Sequence, residues 1–286
     1  MLVYNTLTRK KEEFTPQDII KIYVCGVTPY DEAHLGHARP SIIWDVIRRY
    51  LNYQGHQVKM VQNFTDVDDK IIARSLKEKR SALEVSKYYS ERYLDSMDKL
   101  GVKRCDLYPR VSEYIEKIIA MVQGLIDKGH AYEANGDVYF SVESFPQYGK
   151  LSGRNVDELR AGARIAVDEL KHDPADFALW KKAKAGEISW PSPWGPGRPG
   201  WHIECSAMSL DLLGENIDFH GGGLDLIFPH HENEVAQSEA YTDTDFVRFW
   251  VHNGLITIDN EKMSKSLGNF VTVDDLLRES SKEEIR

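Results

Sequence analysis

The sequence predicts an α/β fold in which a parallel sheet is interrupted by an insertion, and three observations support it. A β-rich run at 20–30, an apolar helical repeat at 42–51 and a second apolar run at 58–64 form a strand–helix–strand unit, which is typical of a parallel sheet. The pair Asn135-Gly136 predicts the turn of a β-hairpin at 132–142. Strand patterns then return in ENIDFHGGG and FVRFWVHNGLITI.

These elements divide the chain into three predicted regions: the first half of the sheet domain (1–115), an insertion that contains the hairpin (116–199) and the second half (200–286). Two more helices are expected near 82–100 and 111–128, the second ending at Gly129. A loop rich in Pro, Gly and Trp, WPSPWGPGRPG, ends the insertion. The last residues, SKEEIR, have the pattern of the first turn of a helix, so we expect the chain to be a fragment.

The composition indicates a cytosolic globular protein. Of the 286 residues 42% are hydrophobic and 28% are charged, and no apolar run approaches the roughly 20 residues of a membrane span. The three widely separated cysteines, Cys25, Cys105 and Cys205, argue against a disulfide framework. A net charge of −9 weakly disfavours a nucleic-acid-binding protein, although a local basic face can exist within an acidic total.

Two short motifs have the composition of a phosphate site. HLGH, residues 34–37, lies where the first strand turns into its helix, and helix N-termini offer N–H groups to phosphate. KMSKS, residues 262–266, places Lys262 and Lys265 in a loop after a strand, where two ammonium groups suit a leaving phosphate. Taken alone, HLGH is also explained by two histidines that cap a helix. Taken alone, KMSKS is also explained as a solvated, charged turn.

The stretch LIFPHHENEVAQSEA, residues 226–240, suggests a metal. On a helix His230 and Glu234 share one face because they are four residues apart. Together with Cys25 and Cys205 they would form a plausible zinc set. Spacing alone leaves the alternative open that the cysteines are small core residues and the His–Glu pair a surface pair.

In combination these stretches resemble the class I aminoacyl-tRNA synthetases, and within them the cysteinyl-tRNA synthetases. The matching blocks occur in that family's order: YVCGVTPYDEAHLGHAR, NFTDVDDKI, GWHIECSAM, HGGGLDLIFPHHENEVAQSEA and GLITIDNEKMSKSLGN. One departure is GVTPY, where many members have Pro-Thr-Val-Tyr. The resemblance implies a Rossmann-like nucleotide-binding catalytic domain with an inserted connective subdomain, followed in the family by helical and anticodon-binding parts that this chain lacks.

The resemblance also implies the chemistry of a cysteine–tRNA ligase. One Zn²⁺ per chain would be held by Cys25, Cys205, His230 and Glu234 and would select the thiolate of cysteine, while Cys105 is structural. Serine offers only a hydroxyl, and a site built on one specific interaction rejects such an analogue by about 10⁴-fold or more without editing. The partners are ATP with Mg²⁺, L-cysteine and the acceptor end of tRNA(Cys), with no membrane, and a monomer is expected.

Residue roles follow from the same resemblance. Cysteine would be surrounded by Thr28, Thr65, Trp201 and His220, although Trp201 is equally explained as a core aromatic and His220 as a loop residue. ATP would be bound by His34, Gly36, His37, Gly223, Asp225 and Lys265, and the catalytic residues would be His34, His37, Lys262 and Lys265.

Two other functions remain open. A mycothiol-pathway ligase transfers cysteine to an amino sugar, but that family lacks the carboxylate ligand that Glu234 supplies. A zinc-binding paralogue without activity is the second alternative, and the intact HLGH and KMSKS argue against it. For this fragment we expect activation of cysteine and poor charging of tRNA.

Overall fold

The computed structural model describes residues 1–156, 170–258, 261–262 and 270–286, and at 258 and 261–262 it describes the backbone alone. The strands, in chain order, are β1 (Leu2–Asn5), β2 (Lys10–Glu13), β3 (Ile19–Val27), β4 (Gln57–Phe64), β5 (Ala131–Ala134), β6 (Asp137–Phe140), β7 (Phe177–Lys182), β8 (Gly197–Pro199), β9 (Ile217–Gly223), β10 (Val247–Asn253), β11 (Thr257–Ile258) and β12 (Glu261–Lys262). The helices in the described part of the chain are α1 (Leu35–Tyr53), α2 (Asp69–Glu78), α3 (Ala82–Lys99), α4 (Ile115–Asp127), α5 (Trp201–Leu213), α6 (Glu232–Thr242), α7 (Val273–Glu279) and α8 (Lys282–Ile285).

A four-stranded parallel sheet in the order β10–β9–β3–β4 lies at the centre of the fold. Its register pairs Ile22 with Met60 across β3 and β4, Tyr23 with His220 across β3 and β9, and His220 with Trp250 across β9 and β10. The predicted strand–helix–strand unit is confirmed, since β3, α1 and β4 occupy the expected positions.

Side chains cover both faces of this sheet, because successive residues of a strand point to opposite sides. On one face Ile20, Ile22 and Val24 pack with Trp44 of α1. On the other, Tyr23 belongs to the larger core that includes residues of α4, α5 and α6. Helix α5 is buried on nearly every side, which removes the amphipathic pattern that would have revealed it in the sequence.

The second sheet is antiparallel, in the order β5–β6–β7–β8, and lies wholly within the predicted insertion. The predicted hairpin is confirmed: Asn135 and Gly136 have φ values of 56° and 91°, as a two-residue type I′ turn requires. The two predicted helices are also confirmed, as α3 and as α4 with a short 3₁₀ turn before it. The boundaries at 115 and 199 stay predictions.

The end of the chain is also helical. Ser281 caps α8 in a capping box with Glu284, so the predicted helical turn in SKEEIR is confirmed. The stretch FVRFWVHNGLITI divides into β10 and β11, and β11 pairs with β12. Among the described residues no helix is both long and apolar enough to cross a membrane.

Candidate metal and nucleotide site

Four side chains from four segments of the chain converge beside the central strand. Cys25 is near the carboxyl end of β3, Cys205 is in α5, His230 is in the turn Ile227–His231, and Glu234 is in the first turn of α6. One ligand atom from each lies within 4.8 Å of the others. The two Sγ atoms are 3.8 Å apart, and His230 Nε2 is 3.0 Å from Glu234 Oε1. Strand β3 lies between β4 on one side and β9 on the other, so the chain order of the sheet reverses there. The carboxyl end of such a strand is a typical place for ligand binding.

The charges and hydrogen bonds within the cluster favour the ionised forms of two of its donor side chains. Burial opposes ionisation of Glu234, but the charges of His220 and His230 outweigh it and hold the pKa of Glu234 well below its usual range. A hydrogen bond from Cys25 lowers the pKa of Cys205 to about 6. Burial raises the pKa of Cys25, with a further rise from Cys205. One carboxylate and one thiolate are therefore present before any cation arrives, and a cation would favour the second thiolate.

Buried neighbours orient these groups. Nε2 of His220 is 2.7 Å from Glu234 Oε2, and Nδ1 of His202 is 2.9 Å from Nδ1 of His230. Burial lowers the pKa of His202 well below its usual range, so a neutral His202 can accept the proton on Nδ1 of His230. That hydrogen bond holds the ring with Nε2 among the donors, the common arrangement around a metal-bound imidazole. Burial lowers the pKa of His230, but Glu234 and Cys205 raise it to about 10, so a metal at Nε2 would displace a proton.

A second donor set shares Cys25 and Glu234 but replaces the other two residues with His220 and His231. In this set His231 Nε2 lies 3.1 Å from Cys25 Sγ and its Nδ1 is 2.7 Å from His252 Nε2, while His220 Nε2 bonds to Glu234. The set with Cys205 and His230 supplies two sulfur atoms, one nitrogen and one oxygen. Two sulfurs suit zinc better than one, so these four residues fit a zinc ion.

The HLGH turn forms the N-terminus of α1. His34 is the N-cap residue, and its backbone N–H donates to Nδ1 of His37 at 3.5 Å. The two imidazole rings stack with centroids 3.7 Å apart. The alternative explanation of the motif is thus partly right, because both histidines do cap a helix.

The same histidines line a cavity of about 320 Å³. Cys25 and Thr28 of the first strand and loop lie on its wall, as do Gly223 and Asp225. A Cβ atom on Gly223 would lie 2.5 Å from Asp225 Oδ1, so the carboxylate keeps its place only because the glycine has no side chain. The cavity therefore joins the helix N-terminus to the four-residue donor cluster through Cys25.

Comparison with known proteins identifies the family. The sequence profile of the family described as "tRNA synthetases class I (C) catalytic domain" matches residues 11–286. The chain belongs to this family. Similar proteins named cysteine–tRNA ligase include one from Carboxydothermus hydrogenoformans, 61% identical over 97% of this chain and 60% of that protein. One from Desulforamulus reducens is 57% identical over 100% of this chain and 59% of that protein. The chain thus spans about three fifths of the length of these relatives.

Solved structures agree on the fold. Mycobacterium tuberculosis methionyl-tRNA synthetase, in complex with methionyl-adenylate, matches 94% of this chain and 63% of its own, with a TM-score of 0.73 and 14% identity. At that identity the likeness concerns the fold alone. The predicted Rossmann-like class I synthetase fold is confirmed.

In this synthetase domain, the residues that we expect around the substrate cysteine differ in how far their side chains are buried. Trp201 is 43% exposed and stacks on His230 with ring centroids 4.3 Å apart, so the alternative that it is a core aromatic is wrong. Thr65 is buried and accepts a hydrogen bond from Asn63 Nδ2 at 3.3 Å. His220 is fully buried behind Glu234. Contact of Thr28, Thr65, Trp201 and His220 with cysteine stays a prediction.

Of the other predicted residues of the synthetase domain, Gly36 lines the cavity beside the histidines. Lys262 lies in β12, but its side chain and the whole of Lys265 lie outside what the structure describes. Cys105 is half-buried and belongs to neither donor set. Burial raises its pKa to about 11, which fits an inert thiol.

Sequence reasoning missed four residues around the cluster: His202, His231, His252 and Glu232. Three of them are histidines: His202 contacts His230, and His252 contacts His231. Only their proximity in space reveals them. The carboxylate of Glu232 is fully buried and accepts from the backbone N–H groups of Gly149 at 2.9 Å and Ser152 at 2.7 Å. It ties the insertion to the first turn of α6. The run HHENE, with three polar groups beside the two predicted ligands, was the available signal.

Proposed function

We propose that the protein of which this chain is the catalytic region is a cysteine–tRNA ligase. The cysteine carboxylate would attack the α-phosphate of ATP to give cysteinyl-adenylate and pyrophosphate, and the cysteinyl group would pass to the 3′-terminal adenosine of tRNA(Cys). One observation carries the proposal: Cys25 belongs both to the buried donor cluster and to the wall of the cavity at the HLGH turn. A cluster whose donors suit a thiol-binding metal and a helix N-terminus suited to phosphate thus adjoin one cavity.

The donor set supports selection of cysteine. Cys25, Cys205, His230 and Glu234 would hold zinc, which when bound would take the substrate thiol as a thiolate ligand that serine cannot imitate. Trp201 stacks on His230 while keeping an exposed side, so its indole can cover a small substrate side chain. His220 and Thr65 are held by buried hydrogen bonds, and with Thr28 they would orient the amino acid.

The ATP site would use the part of the cavity that the HLGH turn, Gly223 and Asp225 line. His34 and His37 would donate to phosphate oxygens at the start of α1, and Gly36 lets the nucleotide approach the backbone. Gly223 and Asp225 would receive the adenosine, with the carboxylate accepting from ribose hydroxyls. Mg²⁺ would accompany the phosphates, and Lys262 and Lys265 would stabilise charge on the leaving pyrophosphate. The chain supplies position and charge and no covalent nucleophile.

The test is cysteine-dependent ATP–pyrophosphate exchange by the purified chain, with serine in parallel and the zinc content measured on the same sample. We expect exchange with cysteine, none with serine and about one zinc per chain. Exchange that serine supports as well would contradict the proposed selection. No exchange at full zinc occupancy would favour a zinc-binding paralogue without activity.

The acceptor is tested separately, by transfer of labelled cysteine to tRNA(Cys) or to an amino sugar. The presence of Glu234 within the donor set and the names of the similar proteins support tRNA. Transfer to the amino sugar alone would overturn this part of the proposal and leave the activation step standing.

A further inference from the structure

Two segments far apart in the sequence pair at the N-terminus of α1. The backbone N–H of Leu35 donates to the carbonyl oxygen of Val271 at 3.1 Å, and the N–H of Val273 donates to that of Ala33 at 2.9 Å. Between these bonds His34 and Thr272 face each other as an antiparallel bridge. The backbone of the first HLGH histidine is therefore placed by a segment more than 200 residues further along the chain.

An arginine on a third segment spans this pairing. Nε of Arg92, in α3, is 3.1 Å from each carboxylate oxygen of Glu32, two residues before His34. Its Nη2 is 2.9 Å from Asp274, two residues after Thr272. One guanidinium thus holds a carboxylate on each of the two paired segments, a task that suits its planar fork of donors.

The surroundings strengthen this ion-pair network. Lys99 Nζ lies 2.7 Å from the other oxygen of Asp274, and its hydrogen bond, together with the charge of Arg92, lowers the pKa of Asp274. The side chains of Arg92 and Asp274 are 33% and 22% exposed. Beneath them Ala33 and Val273 are buried in one apolar cluster. An isolated surface pair contributes little, but a partly buried network over a fixed apolar contact can hold a backbone geometry.

We propose that Arg92 is a positioning residue for the ATP site: by bridging Glu32 and Asp274 it holds the backbone pairing of His34 with Thr272. Loss of the bridge would leave the fold intact, because the apolar cluster remains. It would loosen the turn whose two histidines line the cavity. The inference rests on the proposed function for its role in catalysis, and it concerns ATP rather than cysteine, since Arg92 contacts none of the metal donors.

The first measurement is the dissociation constant for ATP, by calorimetry, of the unsubstituted chain and of Arg92→Met, Arg92→Lys and Asp274→Asn. Methionine keeps the apolar stem and removes the fork. We expect about tenfold weaker binding in Arg92→Met, since a misplaced binding group loses affinity steeply. Lysine should restore part of the loss, because a point charge reaches one carboxylate at a time. Arg92→Met combined with Asp274→Asn should lose less affinity than the sum of the two single losses, as coupled groups are not additive.

The matched control is Arg278→Met. Arg278 pairs with Asp275 at 2.9 Å within α7, and its side chain is 76% exposed. The control variant therefore loses an ion pair of the same helix, while the bridge of Arg92 across the His34–Thr272 pairing remains. An Arg92→Met chain that binds ATP within twofold of this control would overturn the inference. So would additive losses in the double variant. Equal thermal unfolding of all variants shows that the fold is retained.

Pyrophosphate exchange then separates this inference from the proposed function. If the unsubstituted chain exchanges, Arg92→Met should raise the KM for ATP about tenfold and leave the KM for cysteine unchanged. If it binds ATP but does not exchange, the proposed function fails, and the ATP dissociation constants still decide the role of Arg92. If the unsubstituted chain does not bind ATP, both the proposed function and the proposed role of Arg92 fail.

Discussion

The donor cluster (Cys25, Cys205, His230 and Glu234) and the HLGH turn adjoin one cavity, yet their side chains are brought together differently. The four donors come from four segments, and three of them are almost completely buried. His34 and His37 are three residues apart on one helical turn and stack through local backbone geometry. The buried cluster thus depends on the whole core, whereas the turn is assembled locally and then placed by the segment at 271–273.

This contrast has an electrostatic side. A hydrogen bond from Cys25 lowers the pKa of Cys205 against burial. Burial likewise opposes the shifts of the two other donors, yet their mutual charge raises the pKa of His230 to about 10 and lowers that of Glu234, so the donors act as a unit. The HLGH histidines instead border the cavity. We therefore expect substitutions in the cluster to abolish a whole property and substitutions in the turn to reduce one step. Four predictions test the contrast, from the largest effect to the smallest.

Cys205→Ser should have the largest effect, because it removes one of two thiolates from the donor set. We expect loss of bound zinc and a fall of about 10³-fold in cysteine-dependent exchange. Metal analysis and exchange on the same preparation measure both. The matched control is Cys105→Ser, which should keep zinc and activity; equal losses in both variants would contradict a metal set confined to Cys25, Cys205, His230 and Glu234.

His34→Asn should lower exchange by about 10²-fold, through the loss of a donor to the phosphates, while the zinc content stays the same. Asparagine is a good N-cap residue, so the helix start is preserved and only the imidazole is lost. The measurement is kcat and KM for ATP with the zinc content alongside. Unchanged kinetics would mean that His34 only caps the helix.

His202→Ala should weaken zinc binding by about tenfold, since the partner that orients a metal-bound imidazole typically matters at that level. The rate at which a chelator removes zinc measures it. His130→Ala is a suitable control, because His130 pairs with Ser144 at 2.9 Å in the insertion and away from the donors. Zinc loss at the unsubstituted rate would show that the 2.9 Å contact with His230 does not orient the ligand.

Glu232→Gln should change stability more than chemistry. The amide loses one of the two oxygens that accept from Gly149 and Ser152, and we expect the free energy of unfolding to fall by about 2 kcal/mol. Denaturant titration measures the change. The control is Glu239→Gln, on the same helix as Glu232, which removes a partly exposed ion pair with Lys150. It should lower the free energy of unfolding by less than about 1 kcal/mol. Equal costs would mean that burial of Glu232 adds nothing.

The elements that the sequence predicted share one property: their signals are local. The strand–helix–strand unit, the Asn135-Gly136 hairpin and the helices at 82–99 and 115–127 follow from periodicity and turn residues within short windows. Helix α5 was missed because it is buried nearly all round and shows no amphipathic period. For the same reason the orienting histidines of the cluster carried no signal: a buried imidazole has no characteristic spacing from a partner on another segment.

By itself the sequence determined the fold class, the position of the HLGH turn and, through a family resemblance, the four candidate metal donors. Only the tertiary structure decided that these donors lie within 4.8 Å of one another and that His202 and His220 orient them. It also decided that Arg92 ties the turn at His34 to Asp274. The physical reason is range: helix and turn preferences act over a few residues, whereas the site exists only after packing of the sheet has brought remote side chains together in a core from which water is excluded.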